Sequence, residues 1–240
     1  MKKVIQLPAI ANEGRWANKL LHYVVGKCYA ESVGATVEIP RGWLGETVFE
    51  ISEPYIEQKA RMLSPQLDQD FDGTVALPPF FNLPHRIVNP CLTRETVKRL
   101  LKWRPGMVRV NSRPKAAAHV RSGDFLTNQD FPIVRQATII DQARFAGYPP
   151  DKCEVVSEDK PRNSGLFPKE LEFLEDFQTL MRAYNVFVYP RSTFSQMAAL
   201  LGNGRIFMPY IYYCGVTDCK FRLVDVSKPV IFPSKNNYLP

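Results

Sequence analysis

The residue types best suited to bind an anion occur together in the segment His119-Val120-Arg121-Ser122-Gly123-Asp124, at the end of the apolar run 116–120. His119 and Arg121 are two residues apart, so a strand directs both side chains to the same face. A guanidinium at the end of a buried strand can form two parallel hydrogen bonds to a phosphate. Gly123 permits a sharp turn there. Spacing alone leaves a structural Arg121–Asp124 ion pair open as the alternative.

Two further segments place polar side chains directly after apolar runs. The first is Ser157-Glu158-Asp159-Lys160, in which an acid could accept hydrogen bonds from a ribose or a base. A helix cap or a solvated turn is the alternative interpretation, and spacing favours it. The second is Pro190-Arg191-Ser192-Thr193-Phe194-Ser195-Gln196, where hydroxyls precede a predicted helix. A helix N-terminus suits a phosphate, whereas a capping box without a ligand would have the same sequence.

The sequence gives little support for a metal site. Asp68-Gln69-Asp70-Phe71-Asp72-Gly73 matches the start of an EF-hand loop, but position twelve of that loop would be Pro79 instead of glutamate. A solvated acidic turn is the favoured interpretation. The five cysteines are irregularly spaced and the three histidines are dispersed, so we expect reduced, mostly buried thiols. A phosphate-binding Gly-rich loop and a Gly-x-Ser-x-Gly elbow are both missing from the sequence.

These segments need strands and helices to position them, and the second half of the chain predicts both in alternation. Predicted strands are 116–120, 153–157, 185–189, 205–209 and 221–226. Predicted helices are 133–146, 169–184 and 194–201. This alternation predicts an open parallel sheet covered on both faces, with ligands beyond the carboxyl ends of its strands.

The first half predicts a second, less regular α/β unit. Its predicted strands are 3–9 and 36–40, and its predicted helices are 16–31, one near 54–63, and 94–103 capped by Thr93. The β-loop-α-β order at its start predicts parallel pairing. The predicted domains are an N-terminal lobe, 1–108, on the acceptor side, and a C-terminal Rossmann-like lobe, 109–240, that binds a nucleotide.

The 240 residues carry 31 basic and 24 acidic side chains, a net charge of +7. This surplus favours anionic partners, with a specific phosphate ligand ranked above diffuse binding of nucleic acid because the cations are scattered. The sequence holds no apolar run of the roughly 18 residues that a membrane-spanning helix needs. The basic N-terminus becomes polar too early for a signal peptide. We therefore expect a soluble cytoplasmic protein.

Taken together, the motifs resemble the GDP-fucose fucosyltransferases of the α1,2-, α1,6- and protein O-fucosylating kinds. That superfamily shares a His-x-Arg-x-Gly-Asp signature, here residues 119–124. Its Gly-Arg-Phe-Gly-Asn-Gln-like turn is similar to Gly14-Arg15-Trp16-Ala17-Asn18-Lys19. Its Ser-Asp-Asp-like strand end is similar to Ser157-Glu158-Asp159, and its Ser-Thr-Phe-Ser segment matches residues 192–195. The four blocks occur in family order.

The resemblance implies a GT-B-like α/β fold of two Rossmann-like lobes with parallel sheets, the second more regular. It implies an inverting, metal-independent transfer of a deoxyhexose, L-fucose first, from a GDP-sugar to a glycan hydroxyl. Arg121 would bind the β-phosphate, and His119 and Asp159 would contact the nucleoside. Ser192, Thr193, Ser195 and Gln196 would surround the pyrophosphate, while Arg15 and Asn18 would reach from the first lobe. Asp124, Ser157 and Phe194 complete the candidate donor-binding set.

Several features depart from the family pattern. Ala17 replaces a glycine, Lys19 a glutamine, and Ser122 stands where many members carry a second arginine. The chain is also short, without the anchor or stem of Golgi enzymes, which points to a bacterial or viral source. Glu13, Asp68 and Asp124 are unranked candidates for the acceptor base.

Two other classes of protein remain open. A catalytically inactive nucleotide- or glycan-binding module of the same fold would bind without turnover. A nucleic-acid-binding protein would show affinity that falls steeply with salt.

Overall fold

The computed structural model describes residues 2–12, 14–63, 71–121, 136–157, 164–189, 192–210, 220–228 and 230. The chain divides into two compact units. The first comprises the described residues up to Met107 together with Ser227, Lys228 and Val230, and the second comprises those from Val108 to Val226. Over the described residues the chain therefore passes from one unit to the other twice.

The first unit contains a three-stranded parallel sheet. Its strands are β1 (Val4–Gln6), β2 (Thr36–Glu38) and β3 (Thr74–Ala76), in the order β2-β1-β3. Ile5 of the central strand pairs with Val37 on one side and Val75 on the other. The helices are α1 (Ala9–Asn12), α2 (Trp16–Ser32), α3 (Leu44–Val48), α4 (His85–Cys91) and α5 (Arg94–Leu100).

The long helix α2 follows the pattern that predicted it. Its apolar side chains, Leu20 and Val24 among them, are fully buried. Gly26 packs directly on Leu7, where a Cβ atom would lie 2.4 Å from Leu7 Cδ2. The helix ends before Gly34, whose φ of +67° lies in the left-handed region that glycine adopts readily. Thr93 also caps α5 as predicted, since its hydroxyl accepts a 3.1 Å hydrogen bond from the Thr96 amide.

Two predictions for the first half were wrong. Residues 54–63 form no helix, because the segment makes β-bridges at both ends: Tyr55 with Ile39 and Met62 with Ala76. Backbone hydrogen bonds to Ile39 and Ala76 thus replace the helical ones. The first strand is also shorter than residues 3–9, since Ala9 already lies in α1.

The second unit contains a five-stranded sheet in the order β5-β4-β6-β7-β8. Its elements are β4 (Ala116–Val120), α6 (Gln136–Phe145), β5 (Cys153–Ser157), α7 (Phe173–Arg182), β6 (Asn185–Phe187), α8 (Thr193–Leu201), β7 (Arg205–Tyr210) and β8 (Lys220–Leu223). Each was predicted within a few residues. Strands β4 to β7 pair in parallel, as expected.

The prediction of a wholly parallel sheet in this half was wrong at its edge. Strand β8 pairs antiparallel with β7, Phe207 opposite Leu223. Only residues 211–219 separate the two strands, fewer than the dozen or so that a parallel crossover needs. The α/β prediction with two parallel sheets is otherwise confirmed.

The core of the second unit surrounds β4, all of whose residues are buried. Ala116 and Ala118 lie in one apolar cluster with Phe187, Tyr189 and Phe207. Helix α7 presents Leu174 and Phe177 to the interior, both fully buried, at the predicted helical spacing. Strand β4 thus ends inside a well-packed unit, which fixes the position of the residue that follows it.

Candidate functional site

Three of the sequence segments converge at one edge of the second sheet. Strand β4 lies between β5 and β6, and all three run in the same direction. Val120 pairs with Ser157, so Arg121 begins where both strands end. The turn after β6 leads into α8 at the same edge. Because ligands of open α/β sheets bind beyond the carboxyl ends of parallel strands, this edge is the candidate site.

The end of β4 touches the start of α8 directly. The ring centroids of His119 and Phe194 are 5.5 Å apart, and those of His119 and Tyr189 are 6.1 Å apart. Phe194 also packs edge-on against Phe177 of α7, at 5.3 Å. Only 1% of His119 is exposed. The imidazole therefore holds the helix start against the strand end, and its predicted contact with a nucleoside stays a prediction.

The serine hydroxyls at the start of α8 form hydrogen bonds within the turn that precedes the helix. Ser192, Ser195 and Gln196 are all fully buried. Ser192 Oγ accepts from the Ser195 amide at 3.5 Å, a long N-cap hydrogen bond, and Ser195 Oγ accepts from the Tyr189 amide at 3.2 Å. Among the described residues of this turn, Thr193 and Phe194 are the half-exposed ones. Any ligand at this turn would therefore meet Thr193, Phe194 and their backbone.

Helix α8 begins at Thr193, so its first residues lie at this edge of the sheet. The Gln196 amide donates to Ser192 O at 3.2 Å, the first bond of the helix. The amides of Thr193 and Phe194 precede it, at the positive end of the helix dipole. Arg121 is half-buried at the end of the adjacent strand. A guanidinium and a helix N-terminus at one sheet edge suit a doubly charged phosphate.

Part of the predicted site falls outside the described residues. Two candidate site residues lie there, Asp124 and Asp159. So do Ser122, Gly123, Glu158, Lys160, Pro190 and Arg191 of the same motifs, and Glu13 and Asp68 of the base candidates. Tyr189 is a residue that sequence reasoning missed. Its amide donates to Ser195 Oγ, and its ring packs against His119. Its position at the end of a predicted strand was the sequence signal that could have identified it.

The first unit has a candidate donor-binding segment of its own, the turn that contains Gly14 and leads into α2. Gly14 adopts a φ of +56°, and a Cβ atom there would lie 2.5 Å from Asn18 Nδ2. Arg15 is exposed at the N-cap of α2, and its carbonyl accepts from the Asn18 amide at 2.9 Å. The turn thus folds Asn18 back over Gly14.

The first unit also has a polar cleft, of about 510 Å³, along the C-terminal half of α2. Glu53 is central to it, since its carboxylate pairs with Lys27 at 2.7 Å and accepts from the Tyr23 hydroxyl at 2.9 Å. Burial, and then the charge of Glu53, raise the pKa of Tyr23 above its usual value. Sequence reasoning missed this cluster because the side chains come from separate elements.

Within the described ranges, the structure has no group of three or more His, Cys, Asp or Glu side chains that could hold a metal ion. None of the helices among these residues combines the length and the apolar character needed to cross a bilayer.

Comparison with known proteins gives a likeness of structure alone. No protein-family model matches the chain, and no curated protein matches its sequence. Among solved structures, the fucosyltransferase NodZ from Bradyrhizobium aligns at a TM-score of 0.56 and 16% identity, over 93% of this chain and 98% of that one. NodZ α-1,6-fucosyltransferase co-crystallised with GDP aligns at a TM-score of 0.51 and 16% identity, over 86% and 94%. A mutant of Arabidopsis thaliana FUT1 in complex with GDP aligns at 0.51 and 10% identity, over 92% and 74%.

The chain has the fold of the GDP-fucose fucosyltransferases. The predicted resemblance and the predicted GT-B-like α/β fold are both confirmed at this level. The structure describes two of the three departures from the motif, Lys19 and Ala17, while Ser122 lies outside the described residues. Lys19 donates through Nζ to Ala11 O at 3.1 Å and so ties α2 to the end of α1. Ala17 is 3% exposed, on the inner face of α2.

Proposed function

We propose that the chain is a glycosyltransferase that moves a deoxyhexose, L-fucose, from a GDP-sugar to a glycan hydroxyl. The observation that carries the proposal is that Arg121 directly follows β4, whose His119 packs against Phe194 in the first turn of α8. The fold supports the choice of donor, because NodZ has been co-crystallised with GDP and soaked with GDP-fucose, and the FUT1 mutant is in complex with GDP.

The reaction requires positively charged groups at this edge of the sheet. Breaking the bond between the sugar C1 and the diphosphate oxygen leaves negative charge on the departing GDP. Arg121 would bind the β-phosphate through its guanidinium, and the first-turn amides of α8 would bind the neighbouring oxygens. These positive groups take the place that a divalent metal occupies in other transferases, so we propose a metal-independent reaction.

The remaining predicted residues take supporting roles in the proposal. Ser157, at the end of β5, and Asp159, two residues later, would contact the nucleoside, and Asp124 would follow Arg121 in the donor site. Arg15 and Asn18 of the first unit would contribute to donor binding from the Gly14 turn. The first unit would receive the acceptor, and the transfer would invert configuration at C1.

Replacement of Arg121 by alanine tests the central step. Loss of one preorganised charge-stabilising group costs about 10²–10³ in rate, so R121A should lose measurable transfer from GDP-fucose. Transfer and donor hydrolysis would be followed by release of GDP, with circular dichroism to confirm that the variant is folded.

Arg113 offers a matched control. It precedes β4, whereas Arg121 follows it, so the two arginines flank one strand at opposite edges of the sheet. The Arg113 guanidinium lies 3.8 Å from the Tyr184 ring centroid, away from the candidate site. R113A should retain wild-type turnover. Equal activity of R121A and wild type, or equal loss in both variants, would remove the basis of the proposal.

A thermal-shift series with GDP, UDP and ADP tests the donor. GDP alone should raise the melting temperature, because ligand binding to the folded state stabilises it by mass action. Equal shifts with all three would contradict a GDP-sugar donor. Binding of GDP without turnover across a panel of glycans would instead identify a binding module of this fold.

A further inference from the structure

Two cysteines of the first unit lie side by side, far apart in sequence. Cys28 is on α2 and is half-buried, and Cys91 is the last residue of α4 and is 2% exposed. The two helices pack against each other. The two thiols lie within hydrogen-bonding reach of one another, and neither is in a disulfide.

The surroundings of the two sulfurs differ in a way that favours one thiolate. The hydrogen bond from Cys91, together with the charge of Arg99, lowers the pKa of Cys28 despite burial and the nearby Glu31. The pKa of Cys91 is raised, by the same hydrogen bond and by burial. Cys28 is therefore the sulfur that ionises first, and it is also the more accessible one. Peroxides attack accessible thiolates, so these two properties select Cys28 as the reactive thiol.

The residues around the two cysteines determine which sulfur donates a proton and which accepts it. Arg99 forms two hydrogen bonds to Glu31, of 2.8 and 2.6 Å, and so stays beside Cys28 on the α2 surface. Cys91 has a second acceptor, Ile87 O, at 3.0 Å. A thiol has one proton, so Cys91 can donate either to Ile87 O or to the Cys28 sulfur. A Cys28 thiolate is the stronger acceptor and draws that proton towards itself.

We propose that Cys28 and Cys91 are a peroxide-reactive pair that closes a reversible disulfide between α2 and α4. The Cys28 thiolate attacks one peroxide oxygen, the O–O bond breaks, and the departing hydroxide takes up a proton to leave as water. Cys91 sulfur then attacks the sulfur of the Cys28 sulfenic acid. The S–S bond forms, the S–O bond breaks, and the Cys91 proton leaves with the hydroxyl as a second water. Two thiols are oxidised and one peroxide is reduced, and a dithiol reverses the change.

Peptide mapping of the peroxide-treated full chain tests this inference. The reduced protein is exposed to hydrogen peroxide, its remaining thiols are alkylated in acid denaturant, and the digest is analysed by mass spectrometry. We expect a linked peptide pair that contains Cys28 and Cys91, and its loss after treatment with dithiothreitol. Cys153 is the internal control, because burial raises its pKa to about 11 and it should stay alkylatable. Cys214 and Cys219 are replaced by serine in a parallel sample, which excludes their exchange with the pair.

Single replacements separate the roles of the two sulfurs. In Cys91→Ser, Cys28 should accumulate as a sulfenic acid that dimedone labels. In Cys28→Ser, Cys91 should stay a free thiol under the same exposure, with circular dichroism to confirm folding. Cys28→Ala replaces the serine variant if that one fails to fold. The proposal is overturned if Cys28 remains fully alkylatable after peroxide, or if dimedone labels Cys91 in preference to Cys28.

Discussion

His22 should make the stability of the first unit depend on pH. It lies on the inner face of α2 and is 1% exposed, and neither ring nitrogen has a hydrogen-bond partner among the described residues. Burial lowers the pKa of His22 from 6.5 to about 4, because the interior disfavours the charged imidazolium. Its replacement by leucine removes the titrating group and leaves an apolar side chain in an apolar site.

The size of the effect follows from the two pKa values. Between pH 6.5 and 4 the unfolded chain binds a proton at this position and the folded chain does not, so acid favours unfolding. Stability from the neutral imidazole is therefore complete above the unfolded pKa and is lost as the pH falls. The loss is about 2 kcal/mol at pH 5 and about 3 kcal/mol at pH 4. His22→Leu should escape it.

The tryptophans allow this measurement on one unit alone. The chain has three, Trp16, Trp43 and Trp103, and all belong to the first unit. Urea unfolding followed by their emission would be compared for wild type and His22→Leu from about pH 7.5 downwards. Other groups titrate in both proteins, Glu31 among them, so the informative quantity is the difference between the two. A difference that stays constant with pH would refute the reasoning, because it would mean that His22 titrates equally in the folded and unfolded chain.

Two further replacements test the close packing at Gly202 and the N-cap of α5 at Thr93. Gly202→Ala should destabilise the second unit by about 3 kcal/mol, because a Cβ atom there would lie 2.1 Å from the backbone oxygen of Met181. Gly147→Ala is its control; it meets no neighbour within 4 Å and should cost about 1 kcal/mol for its positive φ, both measured by far-UV circular dichroism. Thr93→Ala should lower the stability of the first unit by about 1 kcal/mol through loss of the α5 cap, as a shift of the urea midpoint in tryptophan emission. Thr93→Ser should restore most of it, and equal midpoints for alanine and wild type would contradict a capping role.

The sequence predicted best where local chemistry and burial agree. Helix α2 has an apolar inner face and a terminating glycine, and β4 is apolar because both of its faces are covered. The order of the strands then followed from the general rule that parallel strands share their carboxyl edge. The meeting of the end of β4 with the start of α8 at one edge of the sheet was predictable for that reason.

The sequence predicted least where partners from elsewhere decide the backbone. Residues 54–63 contain residues compatible with a helix, yet Ile39 and Ala76 pair with their ends. Strand β8 has an ordinary strand sequence, and only the short connection before it determines its direction. Composition carries neither kind of information.

In the candidate site, too, the sequence could not show which partners each side chain has. The serines of residues 192–195 are typical both of a helix cap and of a phosphate site, and spacing does not separate the two. In the structure, the buried hydroxyls of Ser192 and Ser195 accept backbone hydrogen bonds within the turn. A buried hydroxyl and an exposed one have the same letter in the sequence, so this division required three-dimensional packing.

The second crossing of the chain between units has a consequence for biosynthesis. Val230 is 1% exposed, and its amide donates to Leu92 O at 2.9 Å, inside the first unit. A ribosome makes this residue only after the whole of the second sheet. The first unit therefore cannot reach its final form during translation until the second sheet has emerged, and a fragment that stops at Met107 would lack this closing contact.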